Sequence, residues 1–219
     1  MIVADQKPLE EIRQFLAGYN SVLVLGCNGC VTVCLAGGKR EVGILAGVLR
    51  LAGLPRVEEE TIERQCDAEF FEPVRPKVES CEAVLSMACG VGVQMVARLF
   101  PEKPVFPALN TRFMGTNDGA GKWSENCLAC GDCKLGIFGG VCPVTRCAKS
   151  LANGPCGGSS KGRCEVDPEH LECGWQLIHD RLQKLGRLDV LTEVVPPRDW
   201  SKTHAGGPRR LVREDVADL

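Results

Sequence analysis

Apolar positions along the first half of the chain fall into two alternating kinds of pattern. Pro8 to Tyr19 carries Leu9, Ile12, Phe15 and Leu16 at helical spacing. Ser21-Val-Leu-Val-Leu-Gly26 is a short continuous apolar run of the kind that a buried parallel strand shows. Glu41 to Ala52 returns to helical spacing and is ended by Gly53 and Pro55. Ala83-Val-Leu-Ser-Met87 predicts a second buried strand, followed by a helix from Val91 to Phe100. Pro104-Val-Phe-Pro107 predicts a third strand running into a loop. Strands that alternate with helices imply a parallel, right-handed α/β layer, a Rossmann-like sheet.

From Trp123 to Gly174 cysteines and glycines replace the apolar periodicity, so metal rather than a core is expected to organise this stretch. Asp167-Pro168 then has the form of a helix start, a capping carboxylate with proline at the first position. Leu171, Trp175, Ile178, Leu182 and Leu185 follow on one face of the helix predicted there. Beyond Pro196 the chain is rich in proline and charge and has no apolar repeat, which reads as a loose tail more than as an arm for a partner. The expected organisation is an α/β domain over 1–110, a Cys-rich segment with its helix over 111–190, and an extended tail over 191–219.

Composition adds little until the cysteines are counted. The chain has 219 residues with 44% hydrophobic positions, enough for a buried core. A formal charge of −2 gives no broad basic surface, so no nucleic-acid partner is expected, and the Arg209-Arg210 pair is too short to change that. No run of about 18 apolar residues occurs, so no membrane insertion is expected. The opening MIVADQKPLEEIRQF lacks the basic and apolar regions of a secretory signal, which predicts a cytoplasmic protein.

Fourteen cysteines in such a chain are the dominant fact. A disulfide scaffold belongs to short secreted chains, whereas reducing cytosol favours thiolates, and thiolates bind metal. The cysteines also cluster. Cys27, Cys30 and Cys34 follow the first buried run directly, and Cys89 follows the second; Cys66 stands in Arg64-Gln65-Cys66-Asp67. Loops at the carboxyl ends of parallel strands converge, so these five can meet there. Five candidates for four ligand places leave one bystander, which sequence does not name, and argue against an iron left open as a Lewis acid. Tetrahedral zinc suits four thiolates as well, though placement at strand ends favours a redox centre.

The second set is Cys127-Leu-Ala-Cys130-Gly-Asp-Cys133, then Cys142-Pro143 and Cys147. A C-x2-C-x2-C run with a later Cys-Pro is ferredoxin-like, because two-residue spacing lets three thiolates grip three corners of one [4Fe–4S] cubane. Eight residues separate Cys133 from Cys142, where bacterial ferredoxins have three, so Cys142 and Cys147 both remain candidates for the fourth ligand. Cys156, Cys164 and Cys173 form a looser third set, able to build a further cluster or a zinc site with the cysteine left over, or to include ordinary buried thiols. Cys81 lacks glycine-rich surroundings and reads as a small core residue. Gly37-Gly38-Lys39 lacks the flanking residues of a phosphate loop and reads as a turn before a helix. His170, His179 and His204 show no metal-ligand spacing, and no triad or paired carboxylates suggest hydrolysis.

These motifs resemble those of a known family, the MetV-type small subunit of bacterial methylenetetrahydrofolate reductase, which also occurs fused to some reductases as a C-terminal extension. The resemblance runs through Gly26-Cys27-x-x-Cys30-x-x-x-Cys34-x-x-Gly37-Gly38, Arg64-Gln-Cys-Asp67 and Ser86-Met-Ala-Cys-Gly-Val-Gly-Val-Gln94. It continues in Pro107-Ala-Leu-Asn-Thr111, Glu125-x-Cys-x-x-Cys-Gly-Asp-Cys133 and Cys142-Pro-Val-Thr-Arg-Cys-Ala-Lys-Ser-Leu151, then in Asn153-Gly-Pro-Cys-Gly-Gly158 and Cys164-Glu165. It implies an iron–sulfur subunit that passes electrons to or from the flavin of a MetF-type partner, with further electron-donor subunits beyond it. That partner reduces methylenetetrahydrofolate in the one-carbon chemistry of the acetyl-CoA pathway, and this chain would be its non-catalytic subunit. At least two [4Fe–4S] clusters are expected, with a third cluster or zinc beside them. The rival expectation is a zinc-stapled adaptor of the same reductase without a redox role.

Overall fold

The computed structural model describes residues 1–213 and 215. It divides into two compact units, Met1–Glu125 and Asn126–Leu219.

The first unit is built on the strands β1 (Ile2–Gln6), β2 (Ser21–Cys27), β3 (Arg56–Ile62), β4 (Ala83–Met87), β5 (Val105–Pro107), β6 (Leu109–Gly119) and β7 (Lys122–Cys127), the last running to the first cysteine of the next segment. Its helices are α1 (Leu9–Phe15), α2 (Cys30–Val33), α3 (Lys39–Leu51), α4 (Arg75–Ser80) and α5 (Gly90–Leu99). A four-stranded sheet has the order β3-β2-β4-β5, parallel throughout, with β3 and β5 as its edges. β2 is buried along its whole length, which is why it reads as an unbroken apolar run rather than an alternating one.

Period two still operates within the buried strands. Val22 and Val24 of β2, with Leu85 and Met87 of β4, join Ile12, Val42, Leu45 and Leu49 in one apolar cluster. Leu23 and Leu25, with Val84, join Phe71, Val78, Val96 and Phe100 in a second. Alternate side chains leave opposite faces of the pleat, so each face acquires its own core and its own covering helices. Cys81 lies in the second cluster, 1% exposed, as a small apolar residue does.

Four strands, β1, β3, β6 and β7, escaped the sequence pattern. Three successive glutamates, Glu58 to Glu60, mask β3, which buries Val57 and Ile62 and keeps charge at its edge. β1 pairs antiparallel with β6 in a second sheet of order β1-β6-β7, where a loop was expected after Pro107. The turn at Gly37-Gly38 does precede a helix, and Gly37 is needed there: a Cβ at this position would stand 1.9 Å from the Met87 carbonyl oxygen.

The second unit has less regular structure. It holds α6 (Pro143–Arg146), α7 (Gly174–Lys184) and a small core of Phe138, Cys173, Trp175, Ile178 and Leu182. Phe138 meets Trp175 edge to face at 5.6 Å, and Trp175 Nε1 donates to the Leu151 carbonyl. The helix begins later than Asp167-Pro168 suggested. Asp167 accepts from the His170 backbone N–H, capping only a turn. Cys164 N–H then bonds Leu171 O, and Cys173 N–H bonds Gly162 O, so residues 171–173 are drawn into pairing with 162–164 before α7 can start. Leu171 is left outside the helix and exposed.

Candidate metal centre

In the first unit the sheet delivers cysteines from separate stretches to one edge. β2 ends on Cys27, β4 is followed by Cys89 at the cap of α5, and the turn after β3 carries Cys66. All three strands are parallel, so their carboxyl ends lie together. Burial pushes the Cys27 thiol up; the Gln65 and Gly29 backbone N–H groups pull the other way, and the nearby sulfurs of Cys66 and Cys89 add to the upward push. Cys27, Cys66 and Cys89 are therefore electrostatic neighbours.

Gln65 holds this arrangement and was not singled out in the sequence. It is fully buried, its Nε2 donates to the carbonyls of Leu25 (2.7 Å) and Gly26 (3.0 Å), and its Oε1 accepts from Ser86 Oγ (2.7 Å). One side chain thus pins the turn that carries Cys66 to the ends of β2 and β4. A polar residue beside a candidate ligand, at the end of two apolar strands, is the signal that would have marked it.

Cys30 and Cys34 differ. Cys30 opens α2 and is partly exposed, next to Cys27 by the two-residue spacing. Cys34 is buried, and its sulfur lies against β1: it accepts from Ala4 N–H at 3.5 Å and faces the Ala4 and Val31 carbonyl oxygens at 3.5 and 3.6 Å. Burial raises its pKa, and Cys30 is the sulfur that adds to the shift.

In the second unit Cys127, Cys130 and Cys133 occupy one loop. Ala129 takes positive φ, and its N–H points at Cys127 Sγ at 3.4 Å. Thr145 Oγ1 donates to Asn126 O at 3.1 Å, tying the helix that Cys142 caps to the start of this loop. Cys147 ends α6 and packs against the core that includes Cys173. Cys156 stands apart on an exposed loop, where the Gly158 N–H and, behind it, Lys149 lower its pKa. Cys164 bonds to Leu171 through its backbone.

All fourteen cysteines are free thiols. Among the described residues no group of three or more Cys, His, Asp or Glu side chains is arranged to hold a metal ion as it stands. The donor chemistry nevertheless fits an iron–sulfur centre: soft sulfurs on glycine-rich loops, with backbone N–H groups aimed at Cys27 and Cys127. No helix among the described residues is long and apolar enough to cross a membrane.

No curated protein and no solved structure matches the chain. A family model described as the methylene-tetrahydrofolate reductase C terminal matches residues 106–201. The matched stretch takes in Cys127 to Cys173 and leaves out Cys27 to Cys89. Over residues 106–201, a little under half of its length, this chain is therefore similar to the methylene-tetrahydrofolate reductase C-terminal family.

Proposed function

We propose that this chain is the iron–sulfur electron-transfer subunit of a methylenetetrahydrofolate reductase, exchanging electrons with the flavin of a MetF-type partner. The observation that carries the reading is that a parallel sheet delivers Cys27, Cys66 and Cys89, from three separate stretches, to its carboxyl edge. Burial disfavours the charged form of the Cys27 thiol, and a metal centre is the group that turns that cost into binding. Cys30 completes four places by its spacing, and Cys34, engaged by β1, is the bystander. In the second unit Cys127, Cys130 and Cys133 hold a further cluster, with Cys142 as the fourth ligand because α6 is tied to the loop. Cys147, Cys156, Cys164 and Cys173 remain for a third centre. When bound, such clusters supply one-electron transfer; the chain supplies thiolate ligation, N–H donors to sulfur and burial.

Two measurements test this. Anaerobically purified protein should be brown, absorb near 400 nm and hold at least two [4Fe–4S] clusters; fewer than about six irons per chain sinks the reading, since two cubanes need eight. Zinc in their place returns the structural adaptor. The reduced chain, mixed with the oxidised flavoprotein subunit, should bleach the flavin absorbance. Binding without bleaching removes the electron-transfer role.

A further inference from the structure

The segment after Pro196 does not run free of the cysteine loop. Arg198 reaches back to it, and its Nη1 donates to Cys130 Sγ at 2.6 Å and to Asp132 O at 3.0 Å. The same guanidinium stands 5.7 Å from the centre of the Trp200 ring. Farther along, Arg209 Nη1 donates to Lys202 O at 2.6 Å and its Nη2 to Ala129 O at 3.2 Å. The backbone comes close as well, since a Cβ on Gly131 would stand 2.4 Å from Lys202 O. Two arginines thus grip carbonyls on either side of Cys130, and Arg198 also grips the sulfur.

A clasp that merely fixed the loop would need the carbonyls alone, as Arg209 uses them. A guanidinium N–H on the sulfur does something more. An electron entering a cubane adds one negative charge, spread partly over the ligand sulfurs, and a charged donor at one of them stabilises that state over the oxidised one. Because its charge is delocalised and its fork is planar, arginine delivers this as a charged donor of fixed geometry. We infer that Arg198 is a positioning residue that raises the reduction potential of the cluster held by the Cys127–Cys133 loop. The inference rests on the reading that this loop holds a cluster.

The test uses the full chain, purified anaerobically, with iron analysis and an EPR-monitored redox titration. Cys130→Ala first identifies the wave belonging to this loop by removing it; if iron and every wave survive that change, the cluster reading falls and the inference with it. Given that wave, Arg198→Met should keep its iron and move this wave alone to lower potential. Arg198→Lys, which keeps the charge but not the fork, should move it less. Arg209→Met should leave it where it is. The inference is overturned if the wave stays at the wild-type potential in Arg198→Met with iron retained, or if Arg209→Met shifts it equally. It is also overturned if Met, Lys and Gln at position 198 all lose the cluster, because Arg198 would then hold it rather than tune it.

Discussion

Cys27 and Cys34 are both buried, yet their sulfurs have different neighbours. Cys27 has backbone N–H groups and the sulfurs of Cys66 and Cys89; Cys34 has the backbone of β1. A thiol packed like Cys34 behaves as a small hydrophobe with a weak donor. Cys34→Ala should therefore keep the full iron content and cost about 1 kcal/mol, a modest core truncation, readable as a small drop in denaturation midpoint. Loss of iron in that variant would return Cys34 to the ligand set. Cys130→Ala is expected to lose about four irons, one cubane, while Cys81→Ala, deep in the second apolar cluster, should lose none.

Among the elements, the turn between β3 and α4 depends on one buried amide. Gln65→Leu strands Ser86 Oγ and the Leu25 and Gly26 carbonyls in a dry site, at a cost of about 3 kcal/mol. Urea unfolding should show that loss, and anaerobic iron analysis should show weakened retention at the sheet edge. A variant with unchanged stability would mean that water replaces the amide. Elements built from apolar pattern were legible in the sequence: β2, β4, α3 and α5 lie within a residue or two of expectation, and the carboxyl-end cysteines followed from parallel topology. β3 was not, because a sheet edge tolerates the charge that hides its two buried residues. α7 started late because backbone pairing of 171–173 overrode a good local cap. Gln65 and Arg198 were invisible as partners because each acts on residues distant in the chain.

The two units differ in what holds them together. Met1–Glu125 has two apolar clusters on either side of a sheet, whereas Asn126–Leu219 has one small cluster and long stretches of loop among its described residues. On the iron–sulfur reading proposed above, removing the metal should therefore act unequally. Chelated, anaerobic protein is expected to become open to protease between residues 126 and 213 while the first unit stays resistant, as core packing rather than metal supports it. Equal cleavage of both units would show that the sheet too depends on its centre.

The edges of the parallel sheet carry one more consequence. β3 presents Glu58, Glu59 and Glu60, paired with Arg56, Arg50 and Lys77, and β5 is three residues long, with Pro104 before it and Pro107 at its end. An unguarded strand of that kind recruits copies of itself when the chain is made in quantity, whereas charge on one border and proline on the other refuse the extra strand. The first unit thus resists aggregation through the edges of its parallel sheet, and on the iron–sulfur reading proposed above precipitation of unloaded chains should begin from the cysteine loops instead.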